Sequence, residues 1–218
     1  FEQNFIDFLG EGLSGTIYGK RTFIESLNLG RFKLNSPSVS YPDSTAIVQA
    51  RKFETRNGSL GASILKRFVV TFDYGNKTLT LKKGKDYNEP FRYNMSGIEL
   101  VHNGKALIKE REKDMASFSY SSSNAMDERN TVVLNYKYKY TFKNTYKIFK
   151  LRDDSPAHKA GLMVDDVIIK INGKYTFDMS LEEITERFYQ KEGTKVWVLI
   201  ERMGQNYEYS FRLENILK

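Results

Sequence analysis

Residues 12–15, Gly12-Leu13-Ser14-Gly15, stop one residue short of the G-x-S-x-G turn that presents a serine nucleophile at a strand-to-helix corner. Little other chemistry surrounds them. The 218 residues contain no cysteine, which removes thiolate catalysis, disulfides and cysteine zinc sites. The two histidines, His102 and His158, stand far apart in the chain, so no histidine-rich metal centre is expected and no metal ligand is assigned. No glycine loop has phosphate-binding form, and no cofactor is called for. A Ser-Lys pair is compatible with the composition, but nothing singles one out. No catalytic residue is therefore assigned within this chain.

The bulk properties point to partners. Hydrophobic residues make up 40% of the chain, enough for a buried core. No apolar run is long enough to span a bilayer. The net charge of +7 is uneven: residues 1–143 hold 22 basic and 15 acidic side chains, while residues 144–218 hold 12 of each. That asymmetry is too mild to imply a nucleic-acid partner. The expected fold class is mainly β with α+β character. Short alternating runs broken by glycine fill residues 1–94, including "FVVTFDY" and "KTLTLKK" around Gly75-Asn76, which read as a β-hairpin.

Residues 144–218 alternate between β and α patterns. "YKIFKL" and "DVIIKI" read as strands, and Asn172-Gly173 is a hairpin turn. In "SPAHKAGL", Ser155 can cap a short helix, Pro156 suits its first turn and Gly161 can end it. In "SLEEITERFYQKEG", Ser180 and Glu183 form a capping box and Gly193 is the expected stop. "KVWVLIERMGQNYEYSFRLE" reads as two strands around Gly204-Gln205.

The stretch from Ser155 to Gly173 resembles the PDZ domain of bacterial type, "SPA..AGL..GD.I..ING". Asp165-Asp166 stands where that pattern has Gly-Asp. The resemblance implies a peptide groove in which an extended peptide or protein C-terminus adds as a strand beside a helix, often with its carboxylate on backbone amides of a glycine-containing loop. In "MSGIELV", Ser96 and Gly97 would be that loop and Ile98 to Val101, including Leu100, the groove strand. On the helix, Leu181, Thr185 and Phe188 share one face, with Ile184 beside them. Periodicity does not separate groove positions from core positions, so Ile184 and Phe188 are candidates for either. A domain over 95–218 would then carry an insertion at about 104–143. Within it "KALIKEREKDM" reads as a charged helix, "SFSYSSSNAMDERN" as a serine-rich loop, and Tyr136 to Lys143 as a strand with aromatics on one face and lysines on the other. That strand reads as half-buried, its lysines discouraging edge pairing.

Residues 1–94 resemble the second half of a retropepsin-like aspartic protease. Gly10, Gly12, Leu13, Ser14 and Gly15, with Gly19, would form its glycine-rich flap, Ser59 to Phe68 the glycine step and helix, and "VVTFDYGNKTLTL" a closing hairpin. The resemblance implies a partial β-barrel half followed by the PDZ unit. The family's acid pair needs D-[ST]-G turns, in which two aspartates share a proton. Here Asp43-Ser44-Thr45 lacks the glycine, Asp73-Tyr74-Gly75 lacks the hydroxyl, and Asp7 precedes Phe8. By resemblance the catalytic half would lie upstream of Phe1. The implied partners are peptides or protein C-termini, and either that catalytic half or a second copy packing on an open apolar edge. The implied location is extracytoplasmic. The alternative is a non-catalytic PDZ adaptor.

Overall fold

The structure is a computed structural model that describes residues 3–12, 15–48, 52–53, 55–120 and 132–217, with backbone alone for 112–120 and 132–136. The chain is mainly β. Strands β1 (Phe5–Gly12) and β2 (Gly15–Phe23) form an antiparallel hairpin, and β5 (Ser38–Pro42) pairs along β2, giving the order β1-β2-β5. Strands β3 (Ser26–Leu29) and β4 (Phe32–Asn35) form a second hairpin. Helix α1 (Ala62–Leu65) leads into a third, β6 (Phe68–Asp73) and β7 (Thr78–Lys83). Asp73 accepts from Asn76 N–H and Asn76 Nδ2, both at 2.9 Å, which fixes that turn.

A small core of Leu34, Ile64 and Phe68 ties the second and third hairpins and α1 together. Arg67 gathers the chain leaving β7 around itself. Its side chain is 3% exposed, yet its guanidinium donates to the carbonyls of Ser63, Asp86, Tyr87, Glu89 and Pro90 and lies 3.6 Å from the centre of the Phe91 ring. A buried cation needs such a complete set of acceptors.

The second unit is one sheet. Strands β8 (Ile98–Tyr120), β9 (Val132–Leu151), β10 (Val167–Ile171), β12 (Lys195–Arg202) and β13 (Gln205–Arg212) lie in the order β13-β12-β10-β9-β8, and β11 (Lys174–Tyr175) pairs with β10. Helices α2 (Pro156–Lys159) and α3 (Leu181–Thr185) complete it. Its core includes Ile148, Leu162, Ile168, Val196, Val198 and Ile200, all at most 1% exposed. Each such side chain contributes about 1.5–3 kcal/mol of burial. Phe5 and Phe23 of the first hairpin pack against Tyr93 in this same core, at ring separations of 5.2 and 6.0 Å.

Several sequence expectations need revision. Lys105 to Met115 is strand, not helix: Leu107, Lys109 and Arg111 face Phe142, Tyr140 and Tyr138 across the β8–β9 ladder. Lys109 Nζ sits 4.1 Å from the Tyr138 ring centre, and Lys143 Nζ bridges Glu110 and Asp178, each at 3.0 Å. Such pairing outweighs the propensity of a segment too short to nucleate a helix alone. The aromatic face of this ribbon is open rather than half-buried, with Tyr138, Tyr140 and Phe142 exposed by 50%, 62% and 67%. The helix at Ser180 ends sooner than expected, tightening to a 3-10 turn over Glu186–Tyr189. The last turn lies one residue early, at Met203-Gly204, both with positive φ. Leu13, Ser14, residues 121–130 of the serine-rich segment and Thr131 lie outside the described residues.

Asp166 is the main polar tie of this unit. It is 1% exposed, accepts from Arg202 Nε at 2.6 Å and Nη2 at 2.7 Å, and accepts from the Met163 amide at 2.8 Å. Its neighbour Asp165 is exposed, has φ of 71°, and its carboxylate pairs with Lys147 Nζ at 2.6 Å. Removing one partner of a buried pair strands the other, whereas glycine at a left-handed position relieves strain. Urea unfolding of Asp166→Ala is expected to show a loss of about 3 kcal/mol. Asp165→Gly is expected to be neutral or up to about 1 kcal/mol more stable.

Candidate peptide-binding edge

The loop before β8 is built from side chains that satisfy its own backbone. Asn94 is 3% exposed. Its Oδ1 accepts from Ser96 N–H at 3.0 Å, Ser96 Oγ at 2.7 Å and Gly97 N–H at 3.3 Å. Its Nδ2 donates to the Ile98 carbonyl at 2.6 Å and to Glu99 Oε1 at 3.2 Å. Ser96 Oγ then accepts from Ile98 N–H at 3.0 Å, and Met95 N–H reaches the Phe188 carbonyl at 3.1 Å. Every amide from Met95 to Ile98 is thus engaged.

Gly97 is required twice over. Its φ is +82°, and a Cβ there would collide with Cβ and Oγ of Ser155. The loop is pinned to the start of α2 by this close approach and by the Ala157 amide, which donates to the Ser96 carbonyl at 3.2 Å. The expectation that Gly97 exposes amides to a ligand is therefore corrected. In the structure it lets two backbone segments touch.

Beyond the loop, β8 is an edge strand. It pairs with β9 on one side, and among the described residues no strand pairs with its other side. Because the Gly97 carbonyl accepts from Arg152 N–H on the β9 side, the N–H and C=O of Ile98 point to the outer edge, where Ser96 and Asn94 take them. The next outward-facing residues are Leu100 and His102, before the ladder shifts at Asn103-Gly104. Helix α3 lies against β8.

The proposed groove residues divide accordingly. Leu100, Leu181 and Thr185 are half-buried, on β8 and on α3, which lies against it. Ile98, Ile184 and Phe188 are 1%, 0% and 0% exposed, so they are core, not groove surface. Ser96 and Gly97 are buried, with their amides taken. The capping box at Ser180 and Glu183 that starts α3 is present in full. At the other end of the chain, Gly10, Gly12 and Gly15 sit at the β1–β2 tip, where Gly12 pairs with Gly15. The hairpin shape expected of the flap is therefore present.

That hairpin bears on the loop from outside. Asp7, 7% exposed, accepts from Arg21 Nε at 2.6 Å and lies 3.5 Å from Arg152 Nη1, whose guanidinium stands over the Phe5 ring. A concavity of about 760 Å³ is lined by β1 together with Gly97, Glu99 and Arg152. Among the described residues no group of acidic or histidine side chains could hold a metal ion. No described helix is long and apolar enough to cross a membrane.

A family model described as "PDZ domain" matches residues 150–202. This chain carries a PDZ domain. The matched stretch covers the α2 loop, β10, α3 and β12, so the PDZ resemblance holds. A probable CtpA-like serine protease of Staphylococcus saprophyticus subsp. saprophyticus is 38% identical over 73 residues, 34% of this chain and 15% of that protein. A probable CtpA-like serine protease of Staphylococcus haemolyticus is 37% identical over 59 residues, 27% and 12% respectively. The chain thus spans less than a sixth of the length of these relatives. Both are named as serine proteases, so neither supports the aspartic-protease resemblance of residues 1–94.

Glu99 gives the edge a pH dependence. Burial pushes its carboxyl up to about 6, with the Asn94 hydrogen bond pulling the other way and Asp7 adding to the rise. Since the folded value exceeds the ordinary 4.5, the stability of the neutral form is full below about pH 4.5 and is lost as pH rises through 6. The loss is on the order of 2 kcal/mol. Glu99→Gln keeps the acceptor for Asn94 and removes the titration. Thermal unfolding across this range is expected to show a flatter pH profile for Glu99→Gln and a higher Tm at pH 7.

Proposed function

We propose that this chain captures extended polypeptide by adding it as a strand to the outer edge of β8, alongside α3. The observation that carries this reading is the position of β8 at the sheet edge, with a PDZ domain's helix beside it. Main-chain hydrogen bonds to Leu100 and His102 would supply affinity. Leu100, Leu181 and Thr185 would read alternate side chains.

The capture serves a peptidase. Both relatives are named as probable serine proteases, which favours a scissile site elsewhere in a longer protein over a free-standing adaptor. On this reading the core of Leu34, Ile64 and Phe68 belongs to a first unit, while Phe5, Phe23 and Tyr93 join the core of the PDZ-bearing sheet. The aspartic type finds no support among the relatives. The serine type has support from the named relatives. Either type acts on exported or surface polypeptides if the resemblance extends to location.

Binding by fluorescence anisotropy tests the groove. Thr185→Arg places a long cation between α3 and the edge. Affinity for bound peptides is expected to fall at least about tenfold, with stability changed by no more than about 1 kcal/mol. Unchanged binding removes Thr185 from the groove. Incubation with unfolded casein, with and without pepstatin or a serine-directed fluorophosphonate, is expected to show no cleavage by this polypeptide alone.

A further inference from the structure

A PDZ loop holds a ligand's terminal carboxylate with its backbone amides. Here those amides already have an acceptor. Asn94 Oδ1 takes the N–H groups of Ser96 and Gly97, and Ser96 Oγ takes that of Ile98. The orientation of the Asn94 amide is fixed by its neighbours: backbone N–H groups only donate, and the Ile98 carbonyl only accepts. Its nitrogen occupies the first outward position of the edge, the one a ligand backbone would otherwise pair with. The side chain is 3% exposed and Ser96 is 0% exposed, so the arrangement is enclosed rather than a surface contact. Arg21 and Arg152, near this end, are shared with Asp7, while Lys150 and Lys159 also line the concavity beside Gly97.

We propose that Asn94 acts as a built-in substitute for a terminal carboxylate, so that the edge takes internal extended segments and does not require a free C-terminus. This rests on the strand-capture reading above. A carboxylate could reach the Ser96 and Gly97 amides only by displacing Asn94, which would strand its nitrogen, the Ile98 carbonyl and Glu99 together, and the Ile98 amide would still be held by Ser96 Oγ. An unmodified internal segment loses nothing, because pairing begins at Leu100, past the filled loop. The substrate class is therefore an unfolded or looped-out stretch within a longer chain.

The test uses one random-sequence peptide pool made three ways: with a free C-terminus, with an amidated C-terminus, and flanked on both sides by Gly-Ser spacers. Retention by the whole chain is compared across the three. Equal retention, within about twofold, is expected. Retention of the free acid about tenfold above the amide overturns the inference and leaves strand capture standing. Retention of none in any form overturns both. Asn94→Ala frees the Ser96 and Gly97 amides and is expected to create a free-acid preference of about tenfold. Should that variant not fold, the wild-type comparison decides on its own. A folded Asn94→Ala chain that still ignores the terminus also overturns the proposal.

Discussion

Gly97 passes so near Ser155 that any side chain at 97 would collide with it, and the rest of the β8 edge depends on that contact. It locks the loop preceding β8 onto the start of α2. From there the Gly97 carbonyl meets Arg152 N–H and starts the β8–β9 ladder, so the same contact decides which backbone groups face inward and which face out. The edge is thus set by covalent geometry and packing before any ligand arrives. Such preorganisation lowers the ordering cost of binding.

The polar groups around this contact are shared among many neighbours. Asn94 serves five partners, and Glu99 is held half-buried at a cost reflected in its raised pKa. Asp7 draws in Arg21 and Arg152, which couples the N-terminal hairpin to the loop. Nη2 of Arg152 is buried without a hydrogen-bond partner among the described residues, so this coupling is imperfectly satisfied. Asp166 and Arg202 show the opposite case, in which both oxygens of a fully buried carboxylate are matched. The PDZ unit is therefore firmly tied internally, and its junction with the N-terminal hairpin less so.

What was legible in the sequence was local. Ser155 caps α2 by accepting from His158 N–H, Gly161 ends the helix with positive φ, and Asn172-Gly173 turns the chain, each as its residue type requires. The Ser180–Glu183 box does the same for α3. These features involve neighbours within a few positions, and propensity reports on them well. Readings that needed partners far along the chain fared worse. Lys105 to Arg111 has good helix formers, but its structure is decided by Tyr138 to Asn144 across the ladder. Ile184 and Phe188 share a face with the groove candidates, and only packing sends them into the core. Asn94 and Arg67 carried a faint signal at most. An asparagine two residues before Ser-Gly is a common turn former, but its grip on two successive amides and a hydroxyl depends on burial.

Amide hydrogen exchange on the bound and free protein tests strand addition at β8 most directly. Exchange at Leu100 and His102 should slow on peptide binding, while Ser96, Gly97 and Ile98, already bonded within the loop, should not change. Peptide binding that leaves Leu100 and His102 exchanging as before, or that slows only the loop amides, would show that the ligand is held somewhere other than the outer edge of this strand.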